Sequence, residues 1–301
     1  MLSPLDPYAQ QFLNNLGQIT DAMNRAQEQV TTGSRINRVS DAPDSISSLL
    51  QARADLSSTQ QTLTNLSRVQ TQVNTGESVL ESAVQMFNQV QTLGAEGATS
   101  TQTASSRADL AQQVNSILQQ LVSAASTTVE GRYIFSGDSD QVAPYTYNAS
   151  NNPPVSAYQG SAATTLAMDP NGTTFPVSLT AQQIFDSSDP TANVFTSIEN
   201  LSSALSSNSD SAIQNAISGL SHVSDYLNTQ LAFYGTTQNR ITSAINFGQN
   251  LQNQLQSQIG NLQDADMSQS ITEMTQAQTQ YQAALTSRAQ MPRTTLFDFL
   301  G

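Results

Sequence analysis

The chain has no cysteine, no tryptophan and, among its ten basic residues, no lysine. Without cysteine there is no disulfide, no thiolate nucleophile and no Cys-ligated metal. That suits a reducing compartment, or an exported chain that does not rely on oxidative folding. The single histidine, His222, lies in LSHVSDYL. It has no partner for a zinc site and reads as a helix-flank residue. No apolar run reaches the roughly 18 residues of a membrane span, so no membrane insertion is expected. The start, MLSPLDPYAQQFLNNL, lacks the basic and apolar regions of a secretory signal, and export would need another route. Only 11% of residues are charged, and the net charge is −13. Residues 133–239 carry eight acids and no cation. Such an acidic middle excludes the basic footprint that nucleic acid requires. Helices this poor in charge pairs need packing partners, in the same chain or another.

What the sequence does have is heptad spacing. Phe12, Leu16, Ile19, Met23, Ala26 and Val30 step by fours and threes, a coiled-coil seam. The seam ends in TTGSRINRVSDAPDS (31–45), where Gly33 and Pro43 break the helix and Ser40, Asp41 and Asp44 offer caps. A second helix is expected over 45–93, roughly 70 Å long at 1.5 Å per residue. One of its rows is Ala52, Thr59, Leu66, Val73, Leu80 and Phe87; a companion row holds Leu56, Leu63 and Val84. A turn at 93–106 leads to a third helix at 106–130, which Gly131 is placed to stop in a left-handed conformation.

Composition then shifts. Tyr133–Phe135 in GRYIFSG has strand propensity, and VAPYTY, VSAYQ, TTLAM and FPVSL follow, separated by NPP and DPNG turns. Helix resumes near 195. Ile213, Ile217, Leu220, Leu227, Leu231, Tyr234, Ile241, Ile245, Leu255, Ile259 and Leu262 share one grid, which changes register at DADMS (264–268). Ile271, Met274, Tyr281 and Leu285 continue it to Pro292, before the apolar tail TTLFDFLG.

The expected fold is therefore mainly α with a β-rich insertion. Long antiparallel heptad helices from both termini would form a rod-like bundle, with a small β domain at the outer end. The expected segments are 1–44, a terminal helix and turn; 45–135 and 195–263, the halves of a helical arm; 136–194, the β-rich outer domain; and 264–301, a terminal helix and tail. The terminal segments could instead order only on assembly. No catalytic constellation stands out. Asp138 and Asp140 read as a solvated turn, Asp169 and Asn171 as a β-turn, and Asp264 and Asp266 as a helix break or cap. No enzyme activity, metal or cofactor is expected.

The order of these segments resembles the flagellin superfamily. GSRIN (33–37) followed by SDAPDS (40–45) is similar to its N-terminal signature. ESAVQMFNQVQTLGAEGATST (81–101) and DADMSQSITEMTQAQTQYQAAL (264–285) are similar to its second and C-terminal helices. Within the superfamily GRYIFSG, Pro43 in the SDAPDS turn and the ending Leu296–Phe297–Asp298–Phe299–Leu300 resemble the hook–filament junction family, hook-associated protein 3. The alternative is a filament flagellin.

The resemblance implies a structural protein of the bacterial flagellum. It would be extracellular, exported by the flagellar type III system without a cleaved signal peptide. It would assemble with itself, as a ring of about eleven copies, between hook-associated protein 1 and flagellin, after release by a flagellar export chaperone. Phe12, Leu16, Ile19, Met23, Ile271, Met274, Tyr281 and Leu285 are the candidates for the terminal coiled coil; an ordinary intramolecular helix pair would use the same residues. Arg35, Asn37, Arg38 and Asp41 are the candidates for contact between subunits at the turn, or else form a locally capped, solvated loop. Leu296, Phe297, Phe299 and Leu300 are the candidates for chaperone binding or docking, or else a frayed end. Tyr133, Ile134 and Phe135 would pack the root of the insertion.

Overall fold

A computed structural model describes residues 7–290. Seven helices are present among them: α1 (Pro7–Thr32), α2 (Pro43–Gly97), α3 (Ala104–Ala125), α4 (Ala181–Phe185), α5 (Val194–Ser206), α6 (Asp210–Gln263) and α7 (Met267–Gln290). Two antiparallel hairpins complete the fold: β1 (Thr128–Val129) with β2 (Arg132–Tyr133), and β3 (Leu166–Met168) with β4 (Thr174–Pro176). The chain divides into two compact units. The smaller comprises residues 1–58 and 251–301, the larger residues 59–250. Helices α2 and α6 contribute to both.

In the larger unit α2 and α6 run antiparallel. Gly76 faces Tyr234, Leu63 faces Gly248, and the Gln91 side-chain amide donates to the Leu220 carbonyl at 3.2 Å. On α2 the row Leu66, Val73, Leu80 and Phe87 is fully buried, as its heptad spacing predicts. The companion row differs from expectation. Thr62, Gly76, Ala83 and Val90 are covered, whereas Leu63 and Val84 are only half-buried. On α6 the row Ile213, Leu220, Leu227, Tyr234 and Ile241 is buried, and its companion is Val223, Thr237 and Ala244. Ile217, Leu231 and Ile245 lie half-buried on the flank. Small residues face the partner helix because they let the backbones approach, and larger neighbours then cover the edges of the contact. A Cβ on Gly76 would lie 2.5 Å from Tyr234 Cε1, so the ring occupies the space a side chain would need.

Helix α3 packs on α5, and both join the same core through Leu110, Val114, Leu118 and Leu121 with Ile198, Leu201 and Leu205. Buried Arg107 ties two turns together. Its Nε donates to the Gly97 carbonyl at 2.9 Å and its Nη1 to Asn208 Oδ1 at 2.8 Å, and its Nη2 pairs with Asp210 at 2.5 Å. The fork of donors lets one guanidinium serve three acceptors.

GRYIFSG departs from the sequence expectation at its first residue. Helix α3 stops at Ala125. Gly131 has a φ of +77° and Glu130 of +53°, so the pair forms the two-residue turn between β1 and β2. Positive φ at both central positions matches the twist of a hairpin. Phe135 is fully buried, 6.4 Å edge-to-face from Tyr234, and its carbonyl accepts from Ala181 N and Tyr158 Oη. Tyr234 Oη in turn accepts the Leu179 N–H at 3.3 Å. The insertion is therefore anchored to α6 through Tyr234, with Tyr226 donating to the Gln183 carbonyl and Arg240 lying over the Phe175 ring. The four expected strands are shorter than their runs. TTLAM and FPVSL form β3 and β4, while VAPYTY and VSAYQ meet at a single bridge, Tyr147 to Val155. Among the described residues the insertion is mostly irregular chain over an aromatic cluster of Tyr145, Tyr158, Phe185 and Phe195.

Tyr145 Oη and Asn193 Nδ2 both donate to the Asp186 carboxylate, at 3.3 and 2.8 Å, and Asn193 caps α5. Half-buried Glu199 lies in the same field. Burial, then the Asp186 charge, pushes its carboxyl above the usual range. As pH rises the unfolded chain gives up this proton before the folded one does, so the stabilisation linked to the protonated form is lost as pH passes through the folded value. Glu199→Gln is expected to match the parent in acid and exceed it in stability at neutral pH, measured as urea midpoints across a pH series. Tyr234→Phe is expected to cost about 1–3 kcal/mol in the same assay, because it leaves the Leu179 N–H without its acceptor.

Candidate assembly interface

The smaller unit is built differently. Its helices α1 and α7 pack antiparallel: the Arg288 guanidinium lies 5.7 Å from the Phe12 ring centroid, and Ser270 Oγ donates to Gln29 Oε1 at 3.2 Å. The seam of α1 is the expected one, but it is only partly covered. Phe12, Leu16, Ile19, Met23 and Val30 are half-buried, and Ala26 alone is fully buried. On α7 the covered row is Ser270, Met274, Ala277, Tyr281 and Ala284, of which Ser270 and Ala277 are fully buried. Of the four expected α7 residues, Met274 and Tyr281 lie in this row. Ile271 and Leu285 lie one position off it, 47% and 44% exposed. Leu13 is likewise one position off the α1 seam, and 51% exposed. The sequence pattern followed the largest side chains, whereas the observed contact selects alanine and serine.

The smaller unit thus leaves several large apolar side chains exposed. Tyr8, Leu13, Val39, Leu50, Met267, Ile271 and Leu285 are all exposed large apolar residues. Its buried apolar residues are Ala26, Ile36, Leu49, Ala52, Leu255 and Ala277, half of them alanines. An exposed apolar side chain is ordinary alone; here seven accompany a core of few buried residues.

Residues 33–41 form the second part. Gly33, with φ +70°, turns the chain out of α1. Arg35 Nη2 donates to the Leu262 carbonyl at 2.7 Å, at the C-terminus of α6, where a cation meets the negative end of the helix dipole. Asn37 Nδ2 donates to the Ser34 carbonyl at 2.9 Å. Asp41 Oδ2 accepts the N–H groups of Asn37 and Arg38, at 3.0 and 2.7 Å. Arg38 also pairs with Glu28 at 3.4 Å, but the Arg38 side chain is well exposed, and such a pair contributes at most about 1 kcal/mol. All four expected turn residues therefore make bonds within the smaller unit. Ser34, Gln263 and Ala265, which the sequence pattern did not single out, complete the same network. Leu296, Phe297, Phe299 and Leu300 lie outside the described residues.

Among the described residues no group of three His, Cys, Asp or Glu side chains is placed to hold a metal ion. No helix there is long and apolar enough to cross a membrane. The arrangement offers apolar burial and helix register.

The substitutions Ile271→Glu and Leu285→Glu are expected to change the stability of the isolated chain by less than about 0.5 kcal/mol, since both positions are exposed. Ala277→Leu is expected to cost the α1–α7 pair about 1–3 kcal/mol through overpacking. Helicity followed by circular dichroism during denaturation distinguishes the two outcomes.

Comparison with known proteins gives a consistent result. Residues 7–140 match the family model for the bacterial flagellin N-terminal helical region, and residues 211–300 that for the C-terminal helical region. No curated protein sequence matches the chain. Similar solved structures include a candidate flagellar hook-associated protein from Vibrio parahaemolyticus, at a TM-score of 0.65 and 17% identity over 74% of this chain and 100% of that one. FlgL from Bacillus cereus has a TM-score of 0.56 and 18% identity over 71% of this chain and 100% of that one. Flagellar hook associated protein-3 from Legionella pneumophila has a TM-score of 0.62 and 11% identity over 70% of this chain and 98% of that one. At these identities the likeness is one of fold.

Proposed function

Because the chain belongs to the flagellin family, we propose that it is a structural, self-assembling component of the bacterial flagellum that joins hook to filament. The observation that carries this reading is the contrast between the two units. The larger has a continuous core; the smaller leaves Leu13, Ile271 and Leu285 exposed beside a half-covered seam. Covering such residues gains roughly 25 cal/mol per Å² of apolar area, and a neighbouring subunit is the source of cover that suits helices with so little charge. The junction role draws on GRYIFSG and the Leu-Phe-Asp-Phe-Leu ending, and on the solved structures described as hook-associated proteins.

In this reading residues 1–44 and 264–301 are the assembly segments, 45–135 and 195–263 the halves of the arm, and 136–194 the outer domain. Copies form a closed ring of about eleven, a heterologous head-to-tail arrangement. The ring seats on hook-associated protein 1 and accepts the first flagellin layer. Arg35, Asn37, Arg38 and Asp41 lie at the edge of the subunit contact. Leu296, Phe297, Phe299 and Leu300 engage the flagellar export chaperone before type III export.

The test is addition of purified protein to isolated hooks, with and without hook-associated protein 1, followed by light scattering and electron microscopy. One saturable layer that requires that partner and then accepts flagellin is expected. Ile271→Glu with Leu285→Glu is expected to abolish addition without unfolding the larger unit. Long filaments grown from this protein alone would replace the junction reading with that of a filament flagellin.

A further inference from the structure

The hairpin of β3 and β4 closes on DPNG (169–172), and its tip combines an exposed amide with an unhindered peptide nitrogen. The Asp169 N–H donates to the Thr173 carbonyl at 2.9 Å, and the Gly172 N–H to the Asp169 carbonyl at 2.9 Å. Pro170, Asn171 and Gly172 thus form a three-residue loop, with Gly172 left-handed at φ +83°. Asp169 Oδ1 accepts the Asn171 N–H at 2.6 Å, a bond to the backbone of Asn171. The Asn171 carboxamide itself is exposed and makes no hydrogen bond among the described residues. Asn171 is also the one asparagine in the chain that precedes a glycine. Glycine has no side chain to hinder an approach to its nitrogen, and a Cβ on Gly172 would meet no atom within 4 Å.

Other asparagines are placed differently. Asn208 Oδ1 accepts from buried Arg107 at 2.8 Å. The Asn193 amide is held at both ends, accepting from Thr196 N and donating to Asp186. Asn152 precedes Pro153, whose nitrogen has no proton to lose.

We propose that Asn171 is a self-modification site, at which the chain turns asparagine into aspartate and isoaspartate without an enzyme. Asparagine is among the thermolabile residues, and the step needs only this chain and water. The Gly172 nitrogen sheds its proton and attacks Asn171 Cγ. A bond forms between them, the bond from Cγ to Nδ2 breaks, and Nδ2 leaves as ammonia, leaving a cyclic imide. Water then opens the ring. Cleavage between Cγ and the Gly172 nitrogen gives aspartate; cleavage between the Asn171 backbone carbonyl carbon and that nitrogen gives isoaspartate. Nothing is oxidised or reduced. The folded turn opposes the attack, because the Asp169 carbonyl holds the Gly172 N–H, so the loop must open first. Strands of three residues make that a local event. The isoaspartate product lengthens the main chain by one carbon inside a loop whose ends, Met168 and Thr174, are paired. Pro170 lies against α6, 3.1 Å from where a Cβ on Gly248 would stand, and the longer loop shifts it. The modification is one-way, since the ammonia is lost, and it is independent of what the chain assembles with.

The experiment ages the full chain in warm, mildly alkaline buffer. Samples are digested in acid, and each asparagine peptide is followed by mass spectrometry, with isoaspartate detected by isoaspartyl methyltransferase labelling. The peptide spanning 169–174 is expected to convert tenfold or more faster than any other within 7–290, to give both products, and to convert faster still in urea. Gly172→Ala is expected to slow it tenfold or more, in urea as well as in buffer, which separates hindrance of the attack from any loosening of the turn. The proposal is overturned if this peptide converts no faster than the others, if aspartate forms without isoaspartate, or if Gly172→Ala in urea converts at the parent's rate. Equal rates in buffer and urea would overturn the role given to the turn.

Discussion

The distance between α2 and α6 governs the larger unit, and at Gly76 the ring of Tyr234 fills the space a side chain would need. A side chain at 76 would push the helices apart, and the buried rows on either side would lose their fit. The same ring touches Phe135, and its hydroxyl receives the Leu179 N–H. One residue thus joins helix packing to the placement of the insertion. This explains why an insertion with so little regular structure is held in place: its order comes from a few buried aromatics and their polar partners, with strand pairing a minor term.

The two units solve the problem of a polar, weakly charged sequence in opposite ways. In the larger, long side chains in one row of each helix meet small ones in the other, and α3 and α5 close the remaining side. In the smaller, the apolar residues at heptad spacing on α1 and α7 are for the most part only half-covered within the described residues. The contrast is one of burial: the first unit has a continuous core, and the second leaves much of its apolar seam half-covered.

How much of this the sequence disclosed depends on side-chain size. The rows Leu66–Val73–Leu80–Phe87 and Ile213–Leu220–Leu227–Tyr234 were legible because every member is large and apolar. Their companions were not, because Gly76, Ala83 and Thr237 carry no hydrophobic signal; the eye is drawn to Leu63 and Ile245 on the flank instead. Ile271 and Leu285 were misplaced onto the seam for the same reason. The family signature at 33–45 was visible, but the bonds from Arg35 and Ser34 to residues 262 and 263 were not, since they join turns more than two hundred positions apart. Gly131 was identified as a left-handed residue, and only its setting, a hairpin in place of a helix end, required the structure.

That α2 and α6 each belong to both units has a thermodynamic consequence. A helix has no internal cap, so nothing in the backbone marks where the well-packed stretch of α2 ends and the thinly packed one begins. Fraying that starts in the smaller unit can advance along either helix until burial, turn by turn, becomes too costly to undo. Such fraying is expected to be gradual and to precede the cooperative loss of the larger unit's core. The calorimetric enthalpy of the whole chain is then expected to exceed the van't Hoff value, while the buried core of the larger unit keeps a midpoint of its own.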